Sequence, residues 1–301
     1  MKTPNVKFIV ILVSIFFGSF MYYGCSKKRI EPAEEQLNNY ETMNNYYNTK
    51  KQQEQEFEID SAGNGPIIGN QGTKLWVSKE KLMFPNSDSV HWPYTVKLIE
   101  LYTPKDMIYY QKPNVSNGNL LTTSGEVRVR AFKNGTELVL RPSNTWTVEM
   151  PNANPLSNMK IYYGVENASY VDWTDSPAGD FVMTSYGYTG EIAKLGWVSC
   201  GKAAAVSTST TNYTFTSTVD NLQYVSKFIY FTNAKSLMQV YGPTSGALPL
   251  GENIKIILMG INSSNQLFYY YNQSQVSTSN QINLALTGIS DANLTAILDT
   301  L

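Results

Sequence analysis

The feature that most constrains this chain is a period-two alternation of apolar and polar residues, repeated in many short runs. Successive side chains of a strand point to opposite faces of a sheet, so such a run reads as a strand rather than a helix. In residues 126–132, Val127, Val129 and Ala131 fall on one side and Glu126, Arg128 and Arg130 on the other, the pattern of a strand with one buried face. Comparable runs occupy residues 74–77, 94–101, 137–140, 145–150 and 160–163, and a second group covers 213–216, 227–231, 238–241, 253–261, 266–271 and 281–286. Asn134-Gly135 stands between two runs and predicts a hairpin, because both residues accept the positive φ of a type I′ turn. Ser263-Ser264-Asn265 supplies another turn. With no helical periodicity between the strands, the expectation is an all-β fold of two β-sandwich domains, residues 66–190 and 191–301. Ser290 is placed to cap a short C-terminal helix whose apolar face is Leu294, Ile297, Leu298 and Leu301.

Charge narrows the function classes. Of the 301 residues 16% are charged and the formal net charge is −1, so no Lys/Arg surplus exists to neutralise the phosphates of a nucleic acid. His91 is the single histidine and Cys25 and Cys200 the two cysteines, which excludes a multi-histidine metal site and a disulfide-dense scaffold. No cofactor is expected.

The N-terminus carries an address. Lys2 and Lys7 precede an apolar run over residues 8–17, the layout of an export signal, and a run of this kind can also span a bilayer as an uncleaved anchor. Its ending, Gly24-Cys25 followed by Ser26-Lys27-Lys28, resembles the lipobox of bacterial lipoproteins, in which a small residue precedes a lipidated cysteine. That resemblance implies a signal peptide over residues 1–24, cleavage between Gly24 and Cys25, and acyl chains on Cys25. Stable anchoring takes more than one chain, since each buried methylene contributes only about 0.8 kcal/mol. Cys200 would then be the sole thiol. Residues 25–65 are too polar to form a core and read as a solvated tether, dispensable for folding. Leu37, Tyr40, Met43 or Asn44, and Tyr47 recur at helical spacing within it, so a short helix there is the alternative.

Three further strings carry a family resemblance: Gly72-Thr73-Lys74-Leu75-Trp76-Val77; Pro104-Lys105-Asp106-Met107-Ile108 continuing through residues 120–127 to 133–138; and Leu195-Gly196-Trp197-Val198-Ser199-Cys200-Gly201. Together they resemble a two-domain lipoprotein family of Bacteroidota, which joins a sandwich like that of ankyrins and netrin receptors to an immunoglobulin- or transthyretin-like sandwich. The resemblance covers roughly residues 66–301 and places the third string at the junction of the two domains. Family members often carry Asn and Asp around that cysteine, where this chain has Ser199 and Gly201. It implies an envelope lipoprotein of largely unassigned molecular role and no known enzymatic activity.

Catalytic readings find little to stand on. Some relatives of the ankyrin-type sandwich self-cleave at a histidine-hydrophobic-serine tripeptide, but here the string is His91-Trp92-Pro93, and proline has no hydroxyl to attack with. His91 therefore reads as a loop or strand-edge residue, and Cys200 as a buried cysteine packed at the domain junction. Asp172, Asp175 and Asp180 could attract a hard cation, yet turn-forming aspartates explain them equally well, so no metal site is assigned. Phe268-Tyr269-Tyr270-Tyr271 must send two of its four rings away from a one-sided core, either into packing between the domains or toward sugars or protein partners, and Tyr109-Tyr110 and Tyr162-Tyr163 raise the same question.

The expectation is thus a non-catalytic, lipid-anchored envelope protein with a structural or protein-interaction role; the alternative is a carbohydrate-binding accessory lipoprotein. Its partners would be the membrane, through the N-terminal lipid, and an envelope protein or glycan, with no nucleic acid. Ser26 replaces the aspartate that retains many lipoproteins in an inner membrane. Lys27, Lys28 and Arg29 stand where surface-exported relatives carry acidic residues. The outer membrane is expected, its periplasmic face ahead of the surface. Three triplets, Asp60-Ser61-Ala62, Asp88-Ser89-Val90 and Asp299-Thr300-Leu301, resemble the O-glycosylation pattern of the same phylum and make Ser61, Ser89 and Thr300 candidate acceptors.

Overall fold

A computed structural model describes residues 37–63, 65–166 and 171–301. The signal peptide, Gly24 and Cys25 lie outside the described residues. Among the described residues the fold is all-β, with three short α-helices.

The largest sheet is antiparallel along its main path, in the order Gln55–Ile59, Tyr94–Leu101, Asn119–Lys133, Gly196–Ala203, Lys160–Glu166, Val171–Asp180. Opposite it lies a five-stranded sheet, ordered Val182–Met183, Gly187–Ile192, Trp146–Pro151, Lys74–Trp76, Ile67–Ile68. The alternation seen in the sequence fills the space between them: Val127, Val129, Ala131 and Val198 from the large sheet meet Leu75, Trp146, Val148 and Tyr188 from the smaller one. Asn134 (φ 50°) and Gly135 (φ 79°) turn the chain so that Lys133 pairs with Thr136 and Phe132 with Glu137, the predicted hairpin.

A second five-stranded sheet runs Ser236–Val240, Ser226–Phe231, Asn253–Ile261, Leu267–Gln275, Thr287–Ile289. One face is covered by the short pairs Thr210–Thr211 with Leu248–Pro249 and Thr214–Thr216 with Gln281–Asn283, around Phe231, Ile254 and Leu258. The centre of its other face is covered as well. Phe228, Leu237, Ile257 and Met259 share one core with Ile99, Leu101, Tyr162, Trp173 and Trp197 of the large sheet. The two sandwiches are therefore consecutive layers of one stack, and residues 38–301 form a single compact unit.

Three helices seal that shared core. Asn44–Lys50 buries Tyr47, Pro104–Tyr110 buries Met107, Ile108 and Tyr109, and Asp291–Leu298 buries Leu294 and Leu298. The last is capped as expected, with Ser290 Oγ accepting from the Asn293 N–H at 3.3 Å. The second helix was not expected. Its signals are local: Thr103 Oγ1 accepts the Asp106 N–H at 3.2 Å, Pro104 occupies the first turn where its missing N–H costs nothing, and Gln111 ends the helix in the left-handed region (φ 54°).

Four expectations are corrected. Residues 38–59 are not a solvated tether: Tyr40, Met43 and Tyr47 are buried, and Gln55–Ile59 pairs with Tyr94–Leu101 as the edge of the large sheet. The helical spacing there marks a face that packs against this chain's own core. The boundary at residue 190/191 also fails, because Gly196–Ala203 pairs with both Asn119–Lys133 and Lys160–Glu166 in the middle of the first sandwich. Cys200 is buried as expected, but inside the first sandwich with Val198 rather than at the junction; Trp197, on the other face, reaches the shared core. Finally, Glu126 does not face solvent, being fully buried where the second sandwich covers its strand.

Candidate functional site

A candidate binding groove lies where the two sandwiches meet at an edge. Ser236–Val240 is the outermost strand of its sheet, bonded on one side only, to Ser226–Phe231. Asn114 clamps its first half. The Asn114 N–H donates to the Leu237 carbonyl at 2.8 Å, the Leu237 N–H donates to Asn114 Oδ1 at 3.1 Å, and Ser236 Oγ donates to the Asn114 carbonyl at 3.1 Å. Beyond the clamp the strand borders a groove of about 370 Å³, lined among others by Pro113, Val115, Gly118, Met238, Gln239 and Tyr241.

Each wall is held by the fold. The Trp173 indole N–H, fully buried, donates to the Pro113 carbonyl at 2.7 Å. Val115–Ser116 pairs with the start of Asn119–Lys133 through a turn at Asn117 (φ 48°) and Gly118 (φ 79°). This Asn-Gly turn carries the same signal as Asn134-Gly135 and was legible in the sequence, though it was not singled out. At Gly118 and Gly242 a Cβ would meet nothing within 4 Å, so both glycines leave the groove floor open.

Behind the clamp stands a buried carboxyl. Asn114 Nδ2 donates to Glu126 Oε1 at 2.5 Å, while Glu126 Oε2 has no partner. Burial pushes the Glu126 carboxyl well above the usual carboxylate range, against the lowering effects of the Asn114 hydrogen bond and the Lys112 charge. Glu126 is thus a buried structural contact, and it lies beneath Asn114 rather than in the groove lining.

A second cleft, of about 420 Å³, opens beside the Asn44–Lys50 helix. Its polar groups satisfy one another: Tyr46 Oη donates to Asp291 Oδ1 at 2.8 Å and Lys50 Nζ meets Asp291 Oδ2 at 2.5 Å, which holds the Asp291 carboxyl below its ordinary range. An exposed face is found on the outside of the smaller sheet of the first sandwich. There Trp76, 43% exposed, donates its indole N–H to Glu149 Oε1 at 2.8 Å, and Lys74 pairs with Glu149 at 3.3 Å.

The residues singled out from sequence are scattered. His91 is exposed in the loop before Pro93. Ser61, Ser89 and Thr300 are all exposed, on separate stretches: Ser61 Oγ bonds Asp60, Ser89 Oγ accepts from Arg141, and Thr300 Oγ1 donates to the Ile297 carbonyl. Asp180 is exposed at the end of the strand Val171–Asp180, while the side chains of Asp172 and Asp175 lie outside the described set. Among the described residues no group of three or more His, Cys, Asp or Glu is placed to hold a metal, and no helix is long and apolar enough to cross a membrane. The rings of 268–271 go inward on both faces: Phe268 and Tyr270 pack on the outer core of the second sandwich, Tyr269 and Tyr271 on the shared core.

Comparison with protein-family models, with curated proteins and with solved structures finds no match for this chain.

Proposed function

We propose that this chain is a lipid-anchored envelope protein, of the Bacteroidota two-sandwich lipoprotein kind, that acts without catalysis by holding another envelope component. The observation that carries the interaction role is the groove at the Ser236–Val240 edge, an apolar, glycine-floored trough beside a strand whose outer side is only half occupied. Lipid attachment rests on Gly24-Cys25 after the apolar run, and outer-membrane placement on Ser26, with the periplasmic face ahead of the surface. Among the described residues the buried Glu100, Asp220 and Lys227 spend their hydrogen bonds inside the fold and Glu126 is sealed beneath Asn114, which supports a binding rather than a catalytic reading.

Two measurements test it. Cys25→Ala should abolish labelling by an alkynyl fatty acid; persistent labelling removes the lipoprotein assignment. A photo-crosslinking amino acid at position 241, in intact cells, should yield an adduct with one envelope protein that the same group at exposed Lys160 does not. No specific adduct at 241 removes the interaction role.

Carbohydrate binding is the second reading, favoured by Trp76, whose ring lies exposed on a sheet face beside Glu149 and Thr147. Exposed aromatic rings stack on sugars. A glycan array on the purified chain, repeated with Trp76→Ala, separates the two readings: sugar binding lost on that substitution would replace the groove as the functional site.

A further inference from the structure

We infer that the groove receives a partner segment in extended conformation, which adds a strand to the edge at Gln239. This deepens the interaction role proposed above and rests on it. In an antiparallel ladder alternate residues turn their N–H and C=O to the same side. Leu237 turns both outward, where Asn114 takes them. By the period of two, Gln239 turns its own pair outward as well, and among the described residues no partner meets them. An unpaired strand edge is a template for another strand, and edges of this kind are usually blunted by charge, proline or a bulge. Ser236-Leu237-Met238-Gln239-Val240 has no charge and no proline, and its pairing with Ser226–Phe231 runs without a register shift.

The Asn114 contact makes the edge a ladder already begun. It occupies the Leu237 position with one backbone N–H and one side-chain oxygen, and the groove continues from there along Met238–Tyr241. Four residues at strand rise span roughly 13 Å. Pro113, Val115, Met238 and Val240 line the trough, so the incoming segment should carry small or apolar side chains on the side that enters it, while its backbone supplies the hydrogen bonds.

The test uses a random decapeptide phage library panned on the full-length protein in detergent, after depletion on the Gly242→Trp variant. At Gly242 a Cβ meets nothing within 4 Å and φ lies outside the left-handed region, so the indole fills the groove without backbone strain. An unchanged thermal midpoint and circular-dichroism spectrum verify that the variant is folded. Selected decapeptides are then synthesised with each backbone nitrogen methylated in turn. The expected result is a tenfold or greater loss of affinity at alternate positions within the bound stretch and little change between them, with slowed amide exchange at Gln239. Flat sensitivity along the peptide, or no clone that distinguishes the wild-type chain from Gly242→Trp, overturns strand addition. So does a concentration-dependent dimer abolished by Gly242→Trp, which would assign the edge to a second copy, or a polysaccharide that competes at the groove. A crosslinked adduct at position 241 without the alternating pattern would remove this inference and leave the interaction role standing; no adduct would remove both.

Discussion

The hydroxyl of Tyr40 donates to Asp220 Oδ1 at 2.7 Å, joining two buried residues 180 positions apart. Asp220 also accepts from Asn38 Nδ2 at 3.1 Å, Ser217 Oγ at 3.2 Å and the Leu286 N–H at 2.9 Å, so one carboxylate ties three stretches of chain together. Burial pushes its carboxyl upward, but these four donors outweigh it and hold the group below its ordinary range. Replacing Asp220 with Ala strands the donors, and the expected cost is about 2–4 kcal/mol in denaturant titration at pH 7. The sign of the pH dependence follows from a depressed carboxyl: its contribution is complete above the unfolded value of about 3.9 and is lost as pH falls through the folded one. The gap between wild type and Asp220→Ala should therefore narrow below about pH 4.

Truncation tests the role of the N-terminal segment. A chain beginning at residue 38 keeps Tyr40, Met43, Tyr47 and the edge strand, and should unfold in one cooperative transition. One beginning at residue 66 removes Tyr40, Met43, Tyr47 and the edge strand Gln55–Ile59, and should be insoluble or unfold many degrees lower. Tyr47→Ala alone should cost about 3–5 kcal/mol, as for a large aromatic ring removed from a full core. Equal thermal midpoints for the two truncations would contradict the shared core.

Glu126 should make the protein less stable as pH rises. Its folded carboxyl is raised, so its neutral form contributes fully below the unfolded value of about 4.3, and that contribution declines as pH climbs toward the folded value. Over that window the slope is at most about 1.4 kcal/mol per pH unit. Glu126→Gln keeps an acceptor for Asn114 and cannot ionise. Its stability relative to wild type should grow from pH 4 to pH 8 in parallel denaturant titrations; a constant difference would show that the carboxyl stays charged in the fold.

Cys200 should be inert in the folded chain. It is fully buried between the two sheets of the first sandwich, and burial raises its thiol well above the ordinary value, which leaves neither access nor thiolate. Reaction with an aromatic disulfide reagent should proceed at the rate of unfolding and accelerate in denaturant. Rapid labelling of the native protein would place the thiol at the surface.

Much of the architecture was written in local pattern. Residues 94–101 and 253–261 show the strand signal over the same bounds that the structure gives, because alternation and β-branched residues are properties of the segment itself. The turns at Asn134-Gly135 and Asn265 and the cap at Ser290 follow from what single residues can do with φ or a hydroxyl. The groove was less legible. Its Asn117-Gly118 turn has a sequence signature, but the other wall, Met238–Tyr241, lies more than a hundred residues away, and no local pattern announces that a strand will be left at an edge.

What the sequence determined by itself, then, is the set of strands, their inward faces within each sandwich, and the chemistry available at the N-terminus. What only tertiary structure decided is which outward faces stay outward. Glu126, Tyr269 and Tyr47 all sit where local alternation or composition points to solvent, and all are buried or half-buried because another layer of the same chain covers them. Alternation reports the two sides of one strand; whether the second side meets water or a neighbouring sheet depends on residues far along the chain, brought there by the burial of about twenty large side chains into one shared core.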